Sequence, residues 1–383
     1  MIASGMVFMM PSPLLHQPST STSTPSLSNL DAAVAAPLAW PHVGSAAVVV
    51  PAMGLERSFH DEVVPIASLT KLMTAYVTLQ KLPLAPGETG PCLRVNAGDV
   101  ANYDEMVADG ESSAAVAVGE TLCENQLLAG LMVHSAGNFA TMLANLTWGG
   151  PVAFVQQMND EARTLNLVGT HYADVTGVDA GSVSTALDMG ELASLLMENP
   201  VIREIAAQST VTLPVAGTLG SYTPFIGVDN VVGVKSGRTQ AAGGCDVMAM
   251  TFSLDGQTQL AYAVVLGAQG GDLLGPAGDE ALALERSVMA SLRTLWIPAG
   301  TVVGTLGWGD QRVNVVVKKH VRLSWFASLH SAAVRVHIDA ETQPVTAGDV
   351  VGTLSVQVGV VQQVPLTVEH SISPIGFGSR SVG

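Results

Sequence analysis

The chain has 383 residues, 48% of them hydrophobic and 13% charged, and a formal net charge of −16. That length is enough for two domains with cores of their own, and that composition argues against bulk disorder. The negative field repels phosphates and no basic stripe offsets it, so nucleic acid is not an expected partner.

Along the chain, the first arginine is Arg57 and the apolar stretch at 6–10 is short, which does not fit a secretory signal. Residues 11–29 are rich in Ser, Thr and Pro and read as an exposed linker. We read residues 1–43 together as a linker segment, with a membrane-anchoring or signal segment expected upstream of Met1. Residues 44–50 read as the first strand of a domain spanning 44–297. A helix opens at Ser68, with Leu69, Leu72, Met73, Tyr76 and Val77 at helical spacing. From 84 to 119 the pattern breaks into β-like pieces and turns, and helices are expected over 124–147 and 152–166. A polar loop at 170–177 leads to Ser184, the expected N-cap of a helix over 185–197. Strands follow near Val211, ending at Lys235, and over 246–254, the last hairpinned through Asp255 and Gly256 to 260–266. A helix near 278–295 closes the domain. Past Pro298, alternating stretches at 312–317, 333–338 and 351–360 read as a small all-β domain over 298–383, without a chemical constellation. Helices around a largely antiparallel sheet make the fold class α+β.

Three cysteines are too few for a disulfide scaffold. Cys92 and Cys123 flank two short β-like stretches that can pair, so a bridge between them is one reading. Free buried cysteines are the other, and the commoner use.

The chemistry concentrates in three places. Ser68 and Lys71 stand three apart on one helical face, the arrangement of a serine nucleophile with a lysine base. The chain has only five lysines, Lys71, Lys81, Lys235, Lys318 and Lys319. Lys235 belongs to a second motif, Lys235-Ser236-Gly237, at the end of the apolar run 231–234. Between them, the segment 127–138 brings Ser135 and Asn138 out of a helical pattern. Ser-x-x-Lys, a serine closely followed by an amide, then Lys-Ser/Thr-Gly is the order used by penicillin-binding proteins and serine β-lactamases. His134 and His171 read as packed or loop residues, since no further ligands stand at zinc spacing; no metal or cofactor is expected.

On these motifs the chain resembles the serine-type D-alanyl-D-alanine carboxypeptidases, low-molecular-weight penicillin-binding proteins that trim peptidoglycan stem peptides. The likeness lies in residues 65–75 around Ser68, in 127–138, in Gly169-Thr170-His171-Tyr172, in Ser184-Thr185-Ala186 and in 233–237. It covers roughly residues 44–295, and the opening 45–54 and β-rich tail look most like actinobacterial members. The chain departs from the pattern in two places: Gly137 stands where the middle motif usually carries its amide, with Asn138 one further on, and Lys-Ser-Gly replaces Lys-Thr-Gly.

The resemblance implies a β-lactamase/transpeptidase-like fold and an extracytoplasmic enzyme of the cell wall. Its partners would be stem peptides ending in D-Ala-D-Ala, with β-lactams as inhibitors. Ser68 would attack the penultimate D-Ala carbonyl after losing its proton to Lys71, which must be neutral. That asks for about 4 kcal/mol of differential stabilisation, from burial and from Lys235 as a second cation. Lys235 and Ser236 would hold the terminal carboxylate. Ser135 would relay the proton to the leaving amine, and Asn138 would bind the peptide amide if it points inward. The backbone N–H groups of Ser68 and Arg238 would form the oxyanion hole. The alternatives are a silent peptidoglycan or β-lactam binder, a cytosolic esterase, and a β-lactamase-like hydrolase. The last needs a loop glutamate, and 169–181 holds aspartates only.

Overall fold

Five antiparallel strands organise the larger of two units, Pro37–Ala290, in a computed structural model that describes residues 19–22, 37–254, 256–308, 310–328, 333–339, 344–358 and 360–372. β1 (Ser45–Val50) and β2 (Leu55–Phe59) form one hairpin, and β3 (Val231–Thr239), β4 (Gly243–Leu254) and β5 (Gln257–Ala268) form a meander. The order across the sheet is β3, β4, β5, β1, β2, with Val264 opposite Ala47. Along β4 the side chains alternate as a pleated strand requires. Cys245, Val247 and Ala249 enter the core of a helical layer, while Gly244 lies against Ala277 on the other face.

That layer holds α1 (Thr70–Lys81), α2 (Ala97–Ala108), α3 (Glu124–Val133), α4 (Gly137–Trp148), α5 (Pro151–Thr164), α6 (Ala186–Leu196) and α7 (Pro200–Ala206). α8 (Leu274–Ala290) packs on the opposite face, so both sides of the sheet are buried. α1 is covered on nearly all sides, with Leu72, Met73, Thr74 and Ala75 all at 0% exposure. Two of its hydroxyls bond to backbone: Thr74 Oγ1 donates to Val175 O and Thr78 Oγ1 to Thr74 O.

Several expectations are corrected. The helix expected over 124–147 is two, α3 and α4, broken where Ser135 takes φ 58 and the Ala136 N–H turns back to Gly130 O. A left-handed residue cannot continue a right-handed helix. α2 occupies a stretch read as strands and turns. It buries only Asp99 and Met106, which leaves little hydrophobic period, and its capping box of Asn96 and Asp99 marks the start instead. The N-cap of α6 is Thr185, which accepts from Asp188 N, one residue beyond the expected Ser184. The closing helix ends at Ala290, and Leu292–Ile297 is a strand whose Leu295 and Ile297 alternate inward.

Cys92 and Cys123 oppose each other across the ribbon Cys92–Arg94 with Thr121–Cys123, and they form a disulfide. The bridge reading therefore replaces that of three free thiols, and only Cys245 is free and buried among the described residues.

The second unit is Ser291–Gly383 with Met1–Ala36. It contains β6 (Leu292–Ile297), β7 (Val302–Trp308), β8 (Gln311–Val317), β9 (Val321–Phe326), β10 (Ala333–Ile338), β11 (Val350–Val358) and β12 (Val360–Val368). β6 pairs with β9, and the main sheet runs β7, β8, β12, β11, β10. Ser19–Thr22, within the stretch read as a linker, adds an edge strand to β7, with Ser21 Oγ on Thr305 Oγ1 at 2.7 Å. The apolar run at 6–10 and most of the remaining linker lie outside the described residues.

Two outcomes follow from this architecture. Thiol titration of the unfolded protein without reductant is expected to count one thiol, rising to three after reduction; three from the outset would remove the bridge. Glu285 of α8 is fully buried, and burial pushes its carboxyl from 4.5 up to about 8. The folded state therefore holds a proton that the unfolded chain releases above pH 4.5, so stability falls as pH rises toward about 8 and then levels. Glu285→Gln removes that decline. Urea midpoints should show its gain over the parent growing from pH 5 to 8, on the order of a few kcal/mol.

Candidate functional site

Ala67–Leu69 forms one 3-10 turn that feeds α1, and Ala67 sits at φ 47. A left-handed alanine persists only where its surroundings over-determine it. Here it delivers Ser68 half-buried at the helix start, one turn below Lys71. Lys71 is 2% exposed, and its Nζ lies 2.9 Å from Ser68 Oγ and 2.8 Å from Thr176 O. The Thr176 carbonyl is fixed by Asp174, whose carboxylate accepts from Thr176 Oγ1, Ser182 Oγ and the N–H groups of Gly177 and Val178. Burial raises the Asp174 carboxyl, but these hydrogen bonds outweigh it and hold it below its ordinary value.

Burial lowers the Lys71 amine from 10.5 to about 8, with Asp174 and Glu111 pulling the other way. The expected help from Lys235 takes a different form. Lys235 is itself held well below an ordinary lysine, first by burial and then by Lys71, with Asp246 opposing.

The break between α3 and α4 places Ser135 Oγ in the same cleft, 3% exposed as a residue and without a hydrogen-bond partner among the described residues. Beside it, His134 stacks on Tyr222 and its Nδ1 meets Gly220 O at 2.9 Å. β3 supplies the opposite wall. A Cβ on Gly237 would stand 2.6 Å from Ser68 N, so glycine is what lets the strand edge reach the Ser68 backbone. Ser236 Oγ donates to Tyr222 O at 2.8 Å, and the exposed Arg238 donates from Nη1 to Asp272 O at 2.8 Å.

The resulting cleft, about 340 Å³, is lined by Ser68, Lys71, Ser135, Ser236 and Arg238 among others. Two expected residues do not line it. Lys235 is fully buried behind the wall, its Nζ donating to Ser236 O at 2.8 Å, so the cleft surface there is formed by Ser236 and Arg238. Asn138 is turned away: its Oδ1 accepts from Ala114 N at 3.0 Å and its Nδ2 donates to Ala114 O at 2.8 Å. Its side chain is spent on backbone, which corrects the expected substrate contact.

Three contributors escaped the sequence reading. Tyr222 and Glu111 line the cleft, and Asp174 builds the loop behind Lys71. The hydrogen bonds that the Asp174 carboxylate accepts from Thr176 and Gly177 are foreshadowed by the turn Asp174-Val175-Thr176-Gly177. Nothing comparable marks Glu111, whose carboxyl is raised by burial and lowered by Lys71, with Asp109, Asp174 and Glu105 adding to the rise.

The family model for D-alanyl-D-alanine carboxypeptidase, peptidase S11, matches residues 55–270. A D-alanyl-D-alanine endopeptidase of Escherichia coli is 33% identical over 198 residues, covering 49% of this chain and 60% of that protein. A D-alanyl-D-alanine carboxypeptidase of the same organism is 31% identical over 259 residues, covering 64% and 63%. The chain thus matches about three fifths of the length of these relatives. The structure of penicillin binding protein 5 from Haemophilus influenzae is similar in fold, with TM-score 0.62 and 19% identity over 89% of this chain and 99% of that one. Penicillin binding protein 6B from Escherichia coli gives TM-score 0.61 and 24% identity over 84% and 95%. The matched segment spans more than half of the residues and contains Ser68, Lys71, Ser135 and Lys235, and the chain belongs to the peptidase S11 family of D-alanyl-D-alanine carboxypeptidases.

Proposed function

We propose that this chain is a serine D-alanyl-D-alanine carboxypeptidase that removes the terminal D-Ala of peptidoglycan stem peptides through an acyl-enzyme on Ser68. The observation that carries this is the Lys71 Nζ, 2.9 Å from Ser68 Oγ and desolvated enough to shed its proton near pH 8. In the neutral amine, one N–H donates to Thr176 O and the lone pair faces the serine hydroxyl. Lys71 takes the Ser68 proton as Oγ attacks the penultimate carbonyl. The charge that develops on the carbonyl oxygen is met by the backbone N–H groups of Ser68 and Arg238, which the Gly237 approach brings together. Ser135, with its hydroxyl unspent, passes the proton to the leaving D-Ala amine.

The terminal carboxylate binds Arg238 and Ser236. A β-lactam ring presents the same acyl group and forms the same ester. The Cys92–Cys123 bridge supports a location outside the cytoplasm, where such bonds persist. No helix among the described residues is long and apolar enough to cross a membrane.

Mass spectrometry of penicillin-treated protein is expected to find one adduct, on the Ser68 peptide, absent from Ser68→Ala; an unchanged mass would refute the proposal. D-Ala should be released from diacetyl-Lys-D-Ala-D-Ala. Because the base is the neutral amine, the rate of acylation should rise about tenfold per pH unit below 8 and level above it. Lys71→Ala should lower acylation about 10²-fold or more, and a rate indifferent to this change would remove Lys71 as the base.

A further inference from the structure

We infer that Glu111 is the base that activates the water hydrolysing the acyl-enzyme, a role that rests on the acyl-enzyme reading above. Glu111 stands on the segment 109–114 that follows α2, far in sequence from the loop 169–181 where a water-activating glutamate was sought. That loop has no free carboxylate to offer beside Ser68. Asp174 is occupied by its five donors and Asp179 accepts from Gly181 N at 2.8 Å. The acidic residues lining the cleft are Asp109, which is exposed, and Glu111, which is half-buried. Glu111 is also within electrostatic reach of Lys71, each altering the other's proton affinity. Among the described residues its carboxylate makes no hydrogen bond or ion pair, so its lone pairs are available to a water.

The segment that carries it is fixed at both ends. The Gly110 N–H donates to Val107 O and the Glu111 N–H to Met106 O, which ties the start to the last turn of α2. The Gly137 N–H donates to Ser112 O at 2.8 Å, and Asn138 clamps both backbone groups of Ala114. A Cβ at position 137 would stand 3.3 Å from Ser112 O and 3.1 Å from Met106 Sδ, so the missing side chain is what lets the segment close onto α4. Gly137 and Asn138 of the middle motif thus have one structural result, a carboxylate held in the cleft.

The step balances. The water oxygen bonds to the ester carbonyl carbon and one water proton passes to the Glu111 carboxylate. The bond from that carbon to Ser68 Oγ breaks, and Oγ takes a proton from Lys71, 2.9 Å away, which has regained one from solvent since its first left with the D-Ala amine. The acyl group leaves as its carboxylic acid, and the proton on Glu111 returns to Lys71 or solvent. Lys71 lies beside the leaving atom of this step, which is why the proton of the attacking water needs an acceptor on another wall.

The test compares the parent with Glu111→Gln and Glu111→Asp. Each is labelled with fluorescent penicillin, freed of excess drug and followed for loss of label over a range of pH. Glu111→Gln should still label Ser68, and once labelled should lose the label about 10²-fold more slowly than the parent, with Glu111→Asp between them. The parent's release rate should climb with pH as the carboxyl ionises, facing Lys71, Asp109, Asp174 and Glu105, and Glu111→Gln should lose that climb. Equal release from labelled parent and labelled Glu111→Gln, or a slower release that keeps the climb, would overturn the inference. Absence of label from the parent would instead refute the acyl-enzyme reading on which it rests.

Discussion

An amine with almost no water around it is the constraint on which the rest of this molecule depends. Moving Lys71 from 10.5 to about 8 corresponds to roughly 3–4 kcal/mol of preference for the neutral form. Only a helix enclosed on nearly every side supplies that, and α1 is such a helix, with Leu72, Met73 and Ala75 as buried as Lys71 itself. The surrounding groups limit how far the shift goes. Asp174 and Glu111 hold the amine's proton more tightly, and Thr176 O gives the nitrogen a fixed direction. Core packing and reactivity are here one property of one helix.

Around that amine the fold brings together groups that no single element could present. Ser68 comes from a 3-10 turn, Ser135 from a helix break, and Ser236 and Arg238 from an edge strand. Two of these placements use left-handed non-glycine backbone, at Ala67 and Ser135, each carrying on the order of 1–3 kcal/mol of strain that the core must offset. Lys235 shows the same economy of position. It is buried behind the cleft wall and donates to Ser236 O, which leaves the cleft surface there to Ser236 and Arg238.

What the sequence disclosed follows from how the information is written. Hydrophobic period marks α1, β4 and β5 because each has a face buried against a continuous layer. Motif order brought out Ser68, Lys71, Ser135 and Ser236 because these side chains are rare or close together. Asn138 misled because a one-residue offset on a helix turns a side chain by about 100°. Nothing in a linear pattern says that the new direction meets Ala114. α2 was hidden by its polar surface, and Glu111, one charged residue in a stretch without period, could be placed only by the fold. The Cys92–Cys123 bridge depended on strand register, which spacing alone does not fix.

The contact between Gly137 and Ser112 ties together two stretches that are otherwise free to drift. A side chain acquired at 137 would crowd Met106 and Ser112 O, which would have to give by a few tenths of an ångström. Substitutions at the two places should therefore be tolerated jointly and penalised singly, so transplanting either one into another member of the family works only as a block.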